Sequence, residues 1–187
     1  MLNFLKKNYG NILILAFLAL LIFPQTGTPI KVFFNRLISF SPSILSEEDR
    51  TKLDDYNWVL RDIQGNLVNL DRSRDKVLII NFWGTWCPPC IAEMPALQQL
   101  YNDYGQAVDF YLVSSEDSSL INRFMDSREL EMPVFQLISQ PPDNLAHASL
   151  PTTYLLDKQG QIVIRKTGAA NWNSKSTRQL LDRLLSE

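Results

Sequence analysis

The run Val77-Leu78-Ile79-Ile80-Asn81-Phe82 is the feature that most limits what this chain can fold into. It is of strand length and shows no regular alternation of apolar with polar positions. A strand with one wet face alternates; a continuous apolar strand is covered on both faces. Such a strand needs packed layers above and below it, which predicts an α/β domain around a central sheet. The flanking sequence supplies the other elements. Asn57–Asp62 and Asn66–Leu70 read as short strands around a Gly65 turn. A helix is expected from about Pro89 to Tyr104, ended by Gly105, followed by a second buried-looking strand at Ala107–Ser114. Ser118–Arg128 reads as a helix with Ile121, Phe124 and Met125 on one face. Thr152–Asp157 and Gln161–Thr167 form a hairpin around Asp157-Lys158-Gln159-Gly160. Ser174–Leu185 is an amphipathic helix with Leu180, Leu181, Leu184 and Leu185 turned inward. The order β-α-β-α-β-β-α predicts a mixed sheet with helices on both faces.

Upstream of this domain the pattern changes. From Asn11 to Phe23 the chain reads NILILAFLALLIF, preceded by Lys6 and Lys7 and closed by Pro24. The run is short for a bilayer span, which takes about 20 residues, but Tyr9 and Gly10 extend it into the interface. A cleaved signal segment has an apolar region of comparable length, yet Phe23-Pro24-Gln25-Thr26-Gly27-Thr28 lacks a small-x-small cleavage site. An uncleaved N-terminal transmembrane anchor fits better. Lys6, Lys7 and the terminal amine oppose Lys31 and Arg36, a small bias that places the N-terminus in the cytoplasm and the body outside. In residues 30–40, Phe33, Phe34, Leu37 and Ile38 share one helical face; an interfacial helix and a domain-packed helix or linker fit equally. Ser46-Glu47-Glu48-Asp49 resembles an N-cap with an acidic first turn. The expected division is an anchor or signal segment over 1–24, a juxtamembrane segment and linker over 25–55, and the α/β domain over 56–187.

Charge and cysteine usage narrow the chemistry. Residues 1–46 carry four basic residues and no acidic one, so the remaining 14 basic residues face all 20 acidic residues. A mildly acidic body argues against nucleic acid as a partner. The chain has only two cysteines, Cys87 and Cys90, and one histidine, His147. Two cysteines make no disulfide scaffold, and with one histidine they make no four-ligand zinc site. Ile91 stands where c-type haem attachment requires histidine. No metal or organic cofactor is implied, because a cysteine pair itself carries two electrons. A structural bridge across so short a loop would add little stability.

The motif Trp83-Gly84-Thr85-Trp86-Cys87-Pro88-Pro89-Cys90 closes the strongest strand and opens a helix. A helix N-terminus stabilises a thiolate, the nucleophile of disulfide exchange. Cys87, at the exposed end, is expected to attack, and Cys90, one turn in and shielded, to resolve the mixed disulfide. Pro88 and Pro89 suit the helix start but offer no N–H to the Cys87 thiolate. The Cys87 pKa is therefore expected nearer about 7 than the strongly oxidising extreme of about 3.5, which favours a reductant. Glu93, one turn beyond Cys90, can face the sulfurs; a partly buried carboxylate there would have a raised pKa and could exchange a proton with Cys90. The alternative for Glu93 is an exposed helix position. Pro95 should kink the helix. Trp86 reads as a rim residue, Trp83 as rim or core, and His147 as a surface or loop residue. Gly168-Ala169-Ala170-Asn171-Trp172 reads either as a flank of a substrate groove or as an αL turn with a packed Trp.

Trp86-Cys87-Pro88-Pro89-Cys90-Ile91-Ala92-Glu93-Met94-Pro95 resembles the W-C-x-P-C-x-x-E-x-P signature of the TlpA/ResA-like thiol–disulfide oxidoreductases, a branch of the thioredoxin-like superfamily. The resemblance extends from about Tyr56 to the C-terminus. It implies a thioredoxin-like fold with a central mixed sheet flanked by helices. It implies that Leu150-Pro151-Thr152 is a cis-proline segment facing the cysteines, where the Leu150 backbone pairs with a client strand; a trans strand-start proline is the alternative. The residues that would meet a client are then Trp86, Pro88, Pro89, Leu150 and Pro151, with Glu93 tuning the site. The resemblance further implies a tethered reductase at the bacterial cytoplasmic membrane, facing the periplasm or outside. Its clients would be protein disulfides or dithiols, apocytochrome c before haem attachment among them, and its electrons would come from a membrane thiol donor. An oxidase or isomerase of the same fold, and a client-binding module without redox turnover, are the competing readings. Peroxide reduction is disfavoured, because Thr85 stands two residues before Cys87 and the proline of a P-x-x-x-T-x-x-C pattern is missing.

Overall fold

The computed structural model describes Val32 and residues 40–187. Seven strands form one sheet: β1 (Val59–Asp62), β2 (Leu67–Asn69), β3 (Val77–Phe82), β4 (Val108–Ser114), β5 (Val134–Leu137), β6 (Thr152–Leu156) and β7 (Ile162–Thr167). Their spatial order is β2-β1-β5-β4-β3-β6-β7. Strand β4 pairs in parallel with both β3 and β5, and the other pairings are antiparallel. The α-helices are α1 (Pro88–Tyr104), α2 (Ser118–Ser127) and α3 (Lys175–Ser186). This is the thioredoxin-like α/β arrangement, with a mixed sheet and helices.

Every residue of β3 is buried, as its unbroken apolar run requires. Successive side chains leave a strand on opposite faces, and β3 feeds two separate cores in that rhythm. Val77 and Ile79 join a core built with Met94, Leu97, Ile121 and Leu181. Leu78, Ile80 and Phe82 join a second core with Trp58, Leu60, Tyr111 and Tyr154. Cys90, Met94, Leu97 and Leu100 of α1, Ile121 and Met125 of α2, and Leu180, Leu181 and Leu184 of α3 join the first core, and none of the three helices contributes to the second. The expectation of α-helices on both faces is thus corrected. Strands β3, β4 and β5 step in one direction across the sheet, and crossovers of a single hand then lay α1 and α2 on the same side. The second face is covered by single 3₁₀ turns and loop residues, among them Leu53, Leu70 and Leu145.

Strand β5 has no counterpart in the sequence reading. It is four residues long, follows Pro133 and buries fully only Val134 and Phe135, too little to show a period. Ser46 caps no helix: Glu47–Asp49 is one 3₁₀ turn, and the Ser46 hydroxyl donates to the Asp49 carboxylate at 2.5 Å. Helix α1 runs unbroken through Pro95. The packed domain also begins before Tyr56. The Leu45 N–H donates to the Val163 carbonyl at 2.9 Å, Lys52 bridges to Gln161, and Leu53 is buried. These residues cover the outer edge of β7, an edge that would otherwise present unpaired backbone groups. Gly160, at φ +80°, makes this cover possible, since a Cβ there would lie 2.7 Å from the Tyr56 hydroxyl. The expected anchor over 1–24, and residues 25–39 apart from Val32, lie outside the described residues. Among the described residues no helix is long and apolar enough to cross a membrane.

Candidate active site

Strand β3 ends at Phe82, and five residues later Cys87 caps α1. Pro88 and Pro89 fill the first helical positions, where the absent N–H groups have no intrahelical partner to lose. Cys87 and Cys90 form a disulfide. The Cys87 Sγ accepts one backbone hydrogen bond, from the Cys90 N–H at 3.3 Å. Cys87, expected at an exposed end, keeps 3% of its surface and Cys90 none. Trp86 beside them is 68% exposed, in keeping with a rim position. Trp83 resolves as core: it is buried and its ring lies 5.3 Å from that of Phe124.

Three residues along α1 from Cys90, Glu93 is buried at 2% exposure, not on an open helix face. Three donors surround its carboxylate. Asn81 Nδ2 donates to Oε1 at 2.8 Å, while the Ala170 N–H at 3.2 Å and Trp172 Nε1 at 2.9 Å donate to Oε2. Burial pushes the pKa up from 4.5 to about 7, outweighing the three hydrogen bonds and Lys166, all of which favour the charged form. The three donors come from β3 and from the loop after β7, so Glu93 ties the redox helix to two distant parts of the chain. Gly168 turns that loop at φ +82°, and Trp172 is fully buried. The segment 168–172 is thus a turn with a packed Trp whose polar edge serves the site.

The Leu150–Pro151 peptide is cis. Leu150 packs against the core that holds both cysteines, and the Pro151 carbonyl accepts the Gly168 N–H at 2.9 Å. On the other side of the motif Glu116 grips the approach to Cys87. Its carboxylate accepts the Thr85 N–H and the Thr85 hydroxyl, each at 2.6 Å. Gly84 fits closely there: a Cβ would lie 3.0 Å from Trp86 Nε1 and 3.3 Å from the Glu116 carboxylate, so those side chains would have to give way.

The sequence reading missed Asn81 and Glu116 as site residues, and it placed Trp172 at a groove flank or in a packed turn without its bond to Glu93. For Asn81 a signal existed: a polar residue in a strand buried on both faces needs a buried partner. Glu116 carried none, since its partner Thr85 is 31 residues away in sequence. His147 is not a plain surface residue. Its ring stacks on Phe82 at 3.8 Å, its Nδ1 is buried without a partner, and it lines a cavity of about 240 Å³ with Val113, Leu137 and Leu150. Burial lowers its pKa. Among the described residues no cluster of His, Cys, Asp or Glu could hold a metal ion.

The chain is similar in sequence and fold to known proteins. Residues 52–165 match the family model described as AhpC/TSA family. The thiol-disulfide oxidoreductase ResA of Halalkalibacterium halodurans is 37% identical over 115 residues, covering 60% of this chain and 65% of that one. The chain therefore spans just under two thirds of that relative's length. The thioredoxin-like protein YneN of Bacillus subtilis is 32% identical over 133 residues, covering 67% of this chain and 75% of that one. Among solved structures, a thiol:disulfide interchange protein of the thioredoxin family from Chlorobium tepidum superposes with a TM-score of 0.58 at 19% identity. That superposition covers 72% of this chain and 97% of the other, a likeness of fold. With a family model spanning well over half of its length and a cysteine pair at the position described, the chain belongs to the AhpC/TSA family of thioredoxin-like proteins.

Proposed function

We propose that this protein is a membrane-anchored thiol–disulfide oxidoreductase that reduces disulfides in extracytoplasmic proteins. The observation that carries the reading is the Cys87–Cys90 pair at the first turn of α1, with the buried Glu93 carboxylate three residues further along the same helix. In the reducing direction the Cys87 thiolate attacks a client disulfide, forming a mixed disulfide and releasing one client thiolate. Cys90 then displaces the second client sulfur and closes the Cys87–Cys90 bond. The client gains two electrons and two protons, and a membrane dithiol donor restores the pair. Glu93 is the proposed proton partner of Cys90, since a group titrating near 7 can give or take a proton at neutral pH. Trp86, Pro88, Pro89, Leu150 and Pro151 are the proposed client-contacting residues.

The reducing direction rests on donor count. A thiolate at Cys87 has one backbone donor within reach, Cys90 N–H, because residues 88 and 89 are prolines. A weakly stabilised thiolate leaves the reduced form less favoured and the couple more reducing. Residues 11–23 are the proposed anchor at a bacterial cytoplasmic membrane, with the domain outside, and apocytochrome c awaiting haem is the proposed client class. Insulin reduction tests the activity: the wild type should catalyse it and Cys87→Ser should not. Equal performance of the two would sink the redox reading. A reduction potential near that of strong oxidants, about −120 mV, would reverse the direction.

A further inference from the structure

Glu93 is enclosed by groups that carry no charge. A carboxylate in such a place, with no ion to oppose burial, keeps its proton. Its three direct donors, Asn81, the Ala170 N–H and Trp172, are neutral. Helix α3 buries Thr177, Leu180, Leu181 and Leu184, none of which ionises. The cysteines one turn earlier on α1 are joined in a disulfide and titrate only when reduced. The ion that acts on Glu93 comes from the sheet.

Strand register identifies it. Asn81 of β3 stands opposite Thr153 of β6, and Thr153 stands opposite Lys166 of β7. The three form one row across the sheet. Side chains alternate along each strand, and the alternation puts the row on the α1 face. Ile164, two residues before Lys166, and its opposite number Leu155 both join the first core. Arg165 and its opposite number Tyr154 lie on the other face, the guanidinium 5.8 Å from the Tyr154 ring. The row is bonded from the acid outwards. Asn81 Nδ2 donates to Glu93 Oε1 at 2.8 Å and to Thr153 Oγ1 at 2.7 Å. Thr153 is buried and Lys166 half-buried on the edge strand, so the row leads from the closed core towards water. Lys166 is the ion whose charge weighs most on Glu93, and it favours the carboxylate.

We propose that Lys166 is a positioning residue of the redox site, which holds enough of Glu93 ionised to take the proton of Cys90. This role rests on Glu93 being the proton partner of Cys90. Closing the Cys87–Cys90 bond requires Cys90 to attack as a thiolate. Its proton passes to the Glu93 carboxylate, the new S–S bond forms on Cys87, and the departing client sulfur leaves with the electron pair of the broken bond. A Glu93 that already bears a proton cannot accept another. Burial alone favours that idle form, and the Lys166 ammonium opposes burial across the row. Lys166 therefore bears on the resolving step and not on the first attack by Cys87.

The test uses the full chain in detergent solution. In the oxidised protein the cysteines do not titrate, so carbon-13 NMR of labelled glutamate carboxyls follows Glu93 without them. Its resonance is the one absent from Glu93→Gln. Lys166→Gln keeps most of the stem and should raise the Glu93 midpoint by roughly 0.5 pH unit or more; Lys166→Arg should restore it. Arg165→Gln removes an equal charge one residue away on the opposite face and should leave the midpoint in place. The kinetic arm mixes reduced protein with glutathione carrying a pyridyl disulfide. Cys87 releases pyridine-2-thione and forms a mixed disulfide; Cys90 then closes the pair and releases glutathione. Acid quenching and mass spectrometry near pH 7 should show the second step about threefold or more slower in Lys166→Gln, with the first step unchanged. A midpoint unmoved by Lys166→Gln, or moved equally by Arg165→Gln, overturns the role of Lys166, as does a moved midpoint with unaltered resolution. Glu93→Gln resolving as fast as the wild type refutes the proton role of Glu93 instead. A reduced wild type that never releases glutathione refutes the redox reading.

Discussion

Replacing Glu93 by Gln removes a buried charge while keeping the side chain's shape, and its effect on stability can be worked out beforehand. In the folded protein Glu93 titrates at about 7 and in an unfolded chain at its ordinary 4.5. The folded state therefore holds this proton more tightly than the unfolded state. Its contribution is fully present below the unfolded value and is lost as pH rises through the folded one. Each tenfold difference in proton affinity between the two states is worth about 1.4 kcal/mol, so the whole loss comes to roughly 3 kcal/mol. Between about pH 5.5 and about pH 7.5 the wild type should lose roughly 2 kcal/mol through this group alone. The Gln variant has nothing to titrate at this position and should lack that slope.

The slope isolates the charge from the packing. Gln presents one oxygen and one NH₂ to three donors, so its stability at any single pH mixes the lost charge with a rearranged network. Asn81 can ease that network by turning its amide, because its Oδ1 has no partner and its Nδ2 already contacts Thr153 Oγ1 at 2.7 Å. That packing cost is nearly constant with pH and cancels from the slope. His147 and the other titrating groups are common to both proteins and cancel as well. Urea unfolding of oxidised residues 40–187, followed by the fluorescence of buried Trp58, Trp83 and Trp172, supplies both curves. If the wild-type-minus-variant difference moves by less than about 0.5 kcal/mol across that interval, burial does not raise the Glu93 pKa and the proposed proton role fails with it.

Trp172→Phe should keep the packed ring but remove the 2.9 Å donor to Glu93. The loss should be about 1.5–3 kcal/mol with the carboxylate ionised and smaller in acid, read by unfolding at two pH values. Glu116→Ala should release the Thr85 N–H and hydroxyl together. Faster hydrogen exchange at the Thr85 amide, with a stability loss of about 1–3 kcal/mol, is the expected signature; unchanged exchange would show that Glu116 does not hold the loop. Gly160→Ala should cost about 1–3 kcal/mol in thermal unfolding, because it adds strain at positive φ and drives a Cβ against the Tyr56 hydroxyl.

What is legible in the sequence depends on how far each residue lies from its partner. The elements of the redox motif are local: a strand, a two-proline helix start and a cysteine spacing of three sit within fifteen residues, and all are readable. The hairpin around Gly160 and the inward face of α3 are legible for the same reason, since period and turn chemistry act over a few positions. Strand β5 escapes because it has no period of its own; its place is set by pairing with β1 and β4 on either side. The expectation of helices on both faces fails because element order does not state the direction in which successive strands step. Glu93 reads as a carboxylate near the sulfurs, but the residues that define it lie 12, 77 and 79 positions away. Asn81 is the one local clue. Along β3, Val77 and Ile79 face the α1 side, so Asn81 faces it as well, where no solvent could satisfy its amide. A buried amide without water must find a protein partner, and the polar side chain that α1 brings to that core is Glu93. The polar exception inside an apolar strand therefore points across the core to the acid, which a scan for sequence motifs alone would not do.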